Sequence, residues 1–75
     1  MSIAQKGDIV NALQHVPREH RRVAAGLIGR VIESGADPFS AIAAAYRWTG
    51  ERREYGDIHR GLDEFFQGVI HREVF

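Results

Sequence analysis

The stretch DPFSAIAAAYRWTG, residues 37–50, constrains this chain more than any other. Asp37 can accept bonds from the free N–H groups of a first helical turn, Pro38 suits the first helical position, and Gly50 can close the end. At about 100° per residue, Phe39, Ile42, Tyr46 and Thr49 fall on one side, while Ala41, Ala44, Ala45 and Trp48 fall largely on the other. Only Ser40 and Arg47 clearly want water. A helix that is apolar nearly all round needs neighbours on several sides, so it is expected at the centre of the fold or at the seam between two chains.

Size sharpens that expectation. A chain of 75 residues makes one domain, residues 1–75, and buries only about 60 to 65% of its unfolded surface. Without cysteine, neither a disulfide nor thiol chemistry is available. Oligomerisation is the remaining route to more buried area. Ten basic residues balance ten acidic ones, which argues against a nonspecific grip on nucleic acid or anionic membrane. No apolar run approaches the roughly 20 residues that span a bilayer, and the N-terminus has no signal-peptide pattern, so a cytoplasmic protein without membrane contact is expected. Nine of the ten basic residues are arginine, a codon-usage hint of a bacterial or phage gene.

The rest of the chain reads as further helices. Ser2 and Gln5 have capping-box spacing, but Gly7 favours a start at Asp8, and Ile9, Leu13 and Val16 form the stripe of a helix ending near His15. Pro17 opens a second helix that stops at Gly35, with Val23, Ala24, Leu27, Ile28, Val31 and Ile32 on its apolar arc. Gly26 and Gly29 lie on its opposite face beside Arg22, where each costs roughly 0.5–1 kcal/mol against alanine. Drift on a solvated surface is the simpler account; close approach of a partner beside Arg22 is the functional one. ERREYG, 51–56, is a loop or a short turn. Asp57 then caps a last helix carrying Ile58, Leu62, Phe65, Phe66, Val69, Ile70 and Val74, an arc wider than one core requires. Gly61 and Gly68 on its flank can admit a crossing helix.

Chemistry-bearing patterns are scarce. HExxH is absent, and His59, Asp63 and Gln67 at successive i, i+4 positions make a poor zinc set, so no metal or cofactor is expected. Ser40 has no assignable base, no nucleophile elbow occurs, and Asp63 and Glu64 diverge on a helix; the protein is read as no enzyme. Residues 40–60 can be written as a helix-turn-helix that would use Arg52, Arg53 and Arg60, although Gly56 would interrupt the second helix and Glu51, Glu54 and Asp57 would face the phosphates too.

The expectation is therefore an all-α bundle of about four helices, dimeric, acting as a regulatory, accessory or inhibitor protein by binding another protein. Self-association is the simplest partner, with a heterologous protein target beside it. Trp48, Phe66, Ile70, Val74, Phe75 and Arg22 are the candidate contact residues, because surplus apolar surface on a small domain marks an interface. A helix-turn-helix DNA-binding regulator is the alternative.

Overall fold

The computed structural model describes residues 6–74 and is all-helical, with four α-helices and no strand among the described residues: α1 (Lys6–Gln14), α2 (Arg21–Glu33), α3 (Pro38–Gly50) and α4 (Gly56–Val74). The capping-box pair Ser2 and Gln5, the side chain of Val74, and Phe75 lie outside what is described. Short 3₁₀ turns, Arg18–His20 and Arg53–Tyr55, lead directly into α2 and α4.

α3 is bounded as its sequence requires. The Asp37 carboxylate accepts from the N–H groups of Phe39 at 3.1 Å and Ser40 at 3.2 Å, and the Ser40 hydroxyl donates to it at 2.6 Å. These bonds, the hydroxyl's above all, hold the Asp37 carboxyl below the ordinary aspartate range. α2 ends in a Schellman motif: Ala36 N–H reaches Val31 O at 3.3 Å and Gly35 N–H reaches Ile32 O at 2.9 Å, with Gly35 at φ 109°, a left-handed geometry that suits glycine.

Two helix starts differ from expectation. Pro17 has ψ 141°, so the chain completes a 3₁₀ turn before α2 begins at Arg21. Asp57 lies inside the first turn of α4 rather than ahead of it, because Gly56 already has helical dihedrals, φ −58° and ψ −37°. There the Asp57 carboxylate faces His20 Nε2 and Arg60 Nη1, each at 3.6 Å.

The end of α1 is held by a residue that sequence patterning does not single out. Arg21 Nε donates to Leu13 O at 2.8 Å and Val16 O at 3.0 Å, and Nη2 donates to Gln14 O at 3.2 Å. One guanidinium thus gathers three carbonyls where the helix ends, one of which, Leu13 O, also accepts from Val16 N–H at 3.1 Å. Hydrogen bonds from a charged group contribute about 1.5–3 kcal/mol, and Arg21→Ala is expected to lower stability by about that much in urea denaturation. An unchanged midpoint would show that water replaces the guanidinium at no cost.

α3 is the hub. α2 and α4 flank it and α1 closes another side, packing on both α3 and α4. Ala41, Ile42, Ala45 and Thr49 of α3 are buried together with Ala24, Ile28, Ile58, Leu62 and Phe65 of its neighbours and Ala12 and Val16 at the α1 end. The Cα radius of gyration is 11.6 Å, near the value of about 11 Å for a folded chain of this length. The expected centre therefore forms within one chain. Thr49 tolerates burial because its hydroxyl donates back to Ala45 O at 2.8 Å.

Helix crossings explain two glycines. A Cβ on Gly61 would stand 2.6 Å from His15 O and 2.8 Å from Val16 Cα, so α4 meets the end of α1 backbone to backbone, as a glycine on that flank permits. A Cβ on Gly50 would stand 2.7 Å from the His59 ring. Gly50 is thus a site of close approach as well as the last residue of α3, with Glu51 at the cap. By contrast nothing lies within 4 Å of a Cβ on Gly26, Gly29 or Gly68.

Candidate interaction site

Among the described residues, exposed large apolar side chains occur once on each helix: Val10, Val23, Trp48 and Ile70. Among the described residues the surplus expected on the third and fourth helices comes down to Trp48 and Ile70. α3 absorbs part of it: Phe66 is half-buried, with ring centroids 5.5 Å from Phe39 and 5.3 Å from Tyr46. Val23, placed on the apolar arc of α2, is 46% exposed instead.

Trp48 is 37% exposed and is fixed from outside. The Arg52 guanidinium lies 3.8 Å from the indole centroid, its Nη1 donates to Trp48 O at 2.9 Å, and the Tyr55 ring packs 5.0 Å away, tilted by 44°. Stacking of this kind costs little side-chain freedom for the area it presents. Beneath the indole runs a groove of about 250 Å³ between α2 and α3, lined by Leu27, Arg30, Val31, Ala44, Ala45 and Trp48. Its size suits one or two side chains, and Arg30 is the lining residue that carries a charge.

A second, more open groove of about 440 Å³ lies on the other side of α3, against α4, and includes Phe66 and Ile70. Trp48 and the pair Phe66 and Ile70 therefore do not share a surface; α3 stands between them. Arg22 is exposed on α2, beside a glycine face that nothing in the described chain approaches.

Of the His59, Asp63 and Gln67 series, the first two engage Tyr46 and Gln67 is exposed. His59 stacks on Tyr46, centroids 4.3 Å apart and planes 7° from parallel, and its Nδ1 stands 2.8 Å from Tyr46 O. A carbonyl can only accept, so Nδ1 carries the proton in that contact. The Tyr46 hydroxyl donates to Asp63 at 2.7 Å. Accepting that bond, Asp63 raises the tyrosine ionisation above its ordinary range, with burial adding to the effect. The bond is thus intact through neutral pH and lost only as pH climbs through that raised value. No three His, Asp or Glu side chains converge as a metal set among the described residues.

The arginines of the helix-turn-helix reading are divided. Arg52 lies on Trp48 and 3.8 Å from Glu51, Arg60 faces Asp57, and Arg53 is exposed in the 3₁₀ turn. No helix among the described residues is long and apolar enough to cross a membrane. No protein-family model, curated protein or solved structure matches the chain.

Proposed function

We propose that this is a non-enzymatic interaction module, a small regulatory, accessory or inhibitor protein that binds another protein through the groove beneath Trp48 and associates with a second copy of itself. The observation that carries the reading is a large indole held at the surface by Arg52 and Tyr55 above an apolar groove. Aromatic residues beside a shaped pocket dominate protein–protein binding energy, and a preorganised one gives up less entropy on association. Arg30 and Arg52 at its edge favour a segment that places a bulky apolar side chain next to a carboxylate.

DNA binding is the second reading, and the disposition of its arginines favours it less. Two of the three already face carboxylates within the same short segment, and the chain has no net positive charge.

The test blocks the groove without touching the indole. Ala44 lines it, and Ala44→Arg keeps a good helix former while filling the space. Tagged wild-type protein is expected to retain a discrete partner from its native host that Ala44→Arg, folded by circular dichroism, releases. The same two proteins are run in mobility-shift assays with genomic fragments, where no duplex binding tighter than about 10⁻⁴–10⁻⁶ M at physiological salt is expected. A competitor-resistant complex with DNA at nanomolar protein, lost in the Arg52→Ala/Arg53→Ala double variant, would replace the protein-binding reading with the DNA-binding one.

A further inference from the structure

We infer that the α3–α4 groove is the face through which two copies of this chain meet, leaving the Trp48 groove to the other partner. The inference deepens the proposed self-association and rests on it. Charge decides which groove does which. In a two-fold interface residue i meets residue j and j meets i, so a charged face that pairs with itself is best served by both signs.

The α3–α4 groove has them on opposite walls, exposed Arg47 from α3 and half-buried Asp63 from α4. A two-fold axis through it sets Arg47 of each copy against Asp63 of the other. Tyr46 takes one oxygen of that carboxylate, and a carboxylate accepts at both. The Trp48 groove, whose lining includes Arg30 and no carboxylate, offers no opposite charge for such a pairing.

Shape agrees with charge. Ile70 projects from the α4 wall, 54% exposed, while Ala43 on the α3 wall leaves room for a side chain from outside. The same operation that pairs the charges carries each Ile70 toward the recess at Ala43 in the other copy. A standard interface takes about 800 Å² from each partner, a modest part of the 5412 Å² this chain exposes. α4 has 19 residues and so runs for about 28 Å, comparable to the middle dimension of the molecule. It offers a seam of the required length.

Sedimentation equilibrium at concentrations on the order of 1 to 100 µM tests the assignment. The wild-type chain is expected near twice its 8.4 kDa. Ile70→Glu and Arg47→Asp, both at exposed positions, are expected to weaken association about tenfold or more through a desolvated or like charge. The Arg47→Asp/Asp63→Arg double variant is expected to recover most of it. Should Asp63→Arg disturb folding by circular dichroism, Ile70→Glu decides alone. A wild-type dimer that survives both Ile70→Glu and Arg47→Asp moves the contact to another face and overturns this inference while leaving self-association in place. A wild-type chain that stays monomeric throughout that range removes self-association itself. If α3–α4 variants instead release the partner that Ala44→Arg retains, the face belongs to a heterologous protein and the inference falls.

Discussion

Gly61→Val is expected to abolish the folded state. The Cβ of any residue at 61 meets the carbonyl oxygen of His15 and the Cα of Val16 within 3 Å, and both are backbone atoms at the end of α1 that no rotamer change can move aside. Overpacking by a single methyl costs about 1–3 kcal/mol, offset by up to about 1 kcal/mol of helix propensity when glycine becomes alanine. Valine adds two more methyl groups in the same place and gains less propensity. A domain of this size has only about 4–11 kcal/mol in all. Circular dichroism should therefore show Gly61→Ala folded with a lowered melting temperature and Gly61→Val without a cooperative transition. Gly26→Ala is the control: its Cβ meets nothing within 4 Å, and it should raise stability by up to about 1 kcal/mol. A Gly61→Val protein that melts like wild type would mean that α1 does not dock on α4 in solution.

Trp48→Ala should separate binding from folding. The substitution removes the Arg52 stack, a contribution of about 0.5–1 kcal/mol, and the Tyr55 contact, about 0.5–1.5 kcal/mol. The expected loss from these two contacts is thus about 1–2.5 kcal/mol, short of the roughly 3–5 kcal/mol for a core aromatic. Partner affinity should fall by about 2 kcal/mol or above, which is about thirtyfold or more. Urea denaturation and titration calorimetry read the two quantities separately. Trp48 is the single tryptophan of the chain, so its emission should also move to shorter wavelength when a partner covers the groove. Unaltered affinity in Trp48→Ala would remove the groove from the binding surface, and a core-sized loss of stability would make the indole part of the fold.

Much of the fold was legible in short-range chemistry. Asp37, Pro38 and Gly35 mark α3 and the end of α2 because caps and left-handed turns are written within a few residues, and the two apolar sides of α3 placed it at the centre. What depends on residues meeting across helices was not legible. Gly50 read as a helix stop and ends α3, but it also lets the His59 ring approach, a contact that no local pattern encodes. His59 and Asp63 have the right spacing to act together, but the group they act on is Tyr46, supplied by another helix. Arg21 is invisible to periodicity because its three acceptors lie at the end of the preceding helix. For the candidate site, Trp48, Phe66 and Ile70 were visible as apolar surplus; that α3 separates them was not. A helical wheel orders residues around one axis and is silent about which neighbour fills each sector.

The position of α3 has a thermodynamic consequence. Ala43 and Ala44 are adjacent in sequence and about 100° apart around the helix, and they line different grooves. One rigid rod therefore forms a wall of both. A movement of that rod would alter the shape of both grooves, since side chains move with the backbone that carries them. Two ligands sharing such a wall are linked reciprocally: whatever factor occupancy of one groove imposes on affinity at the other is returned unchanged in the opposite direction. The association constant of two chains, measured with and without a saturating partner, would give that factor directly.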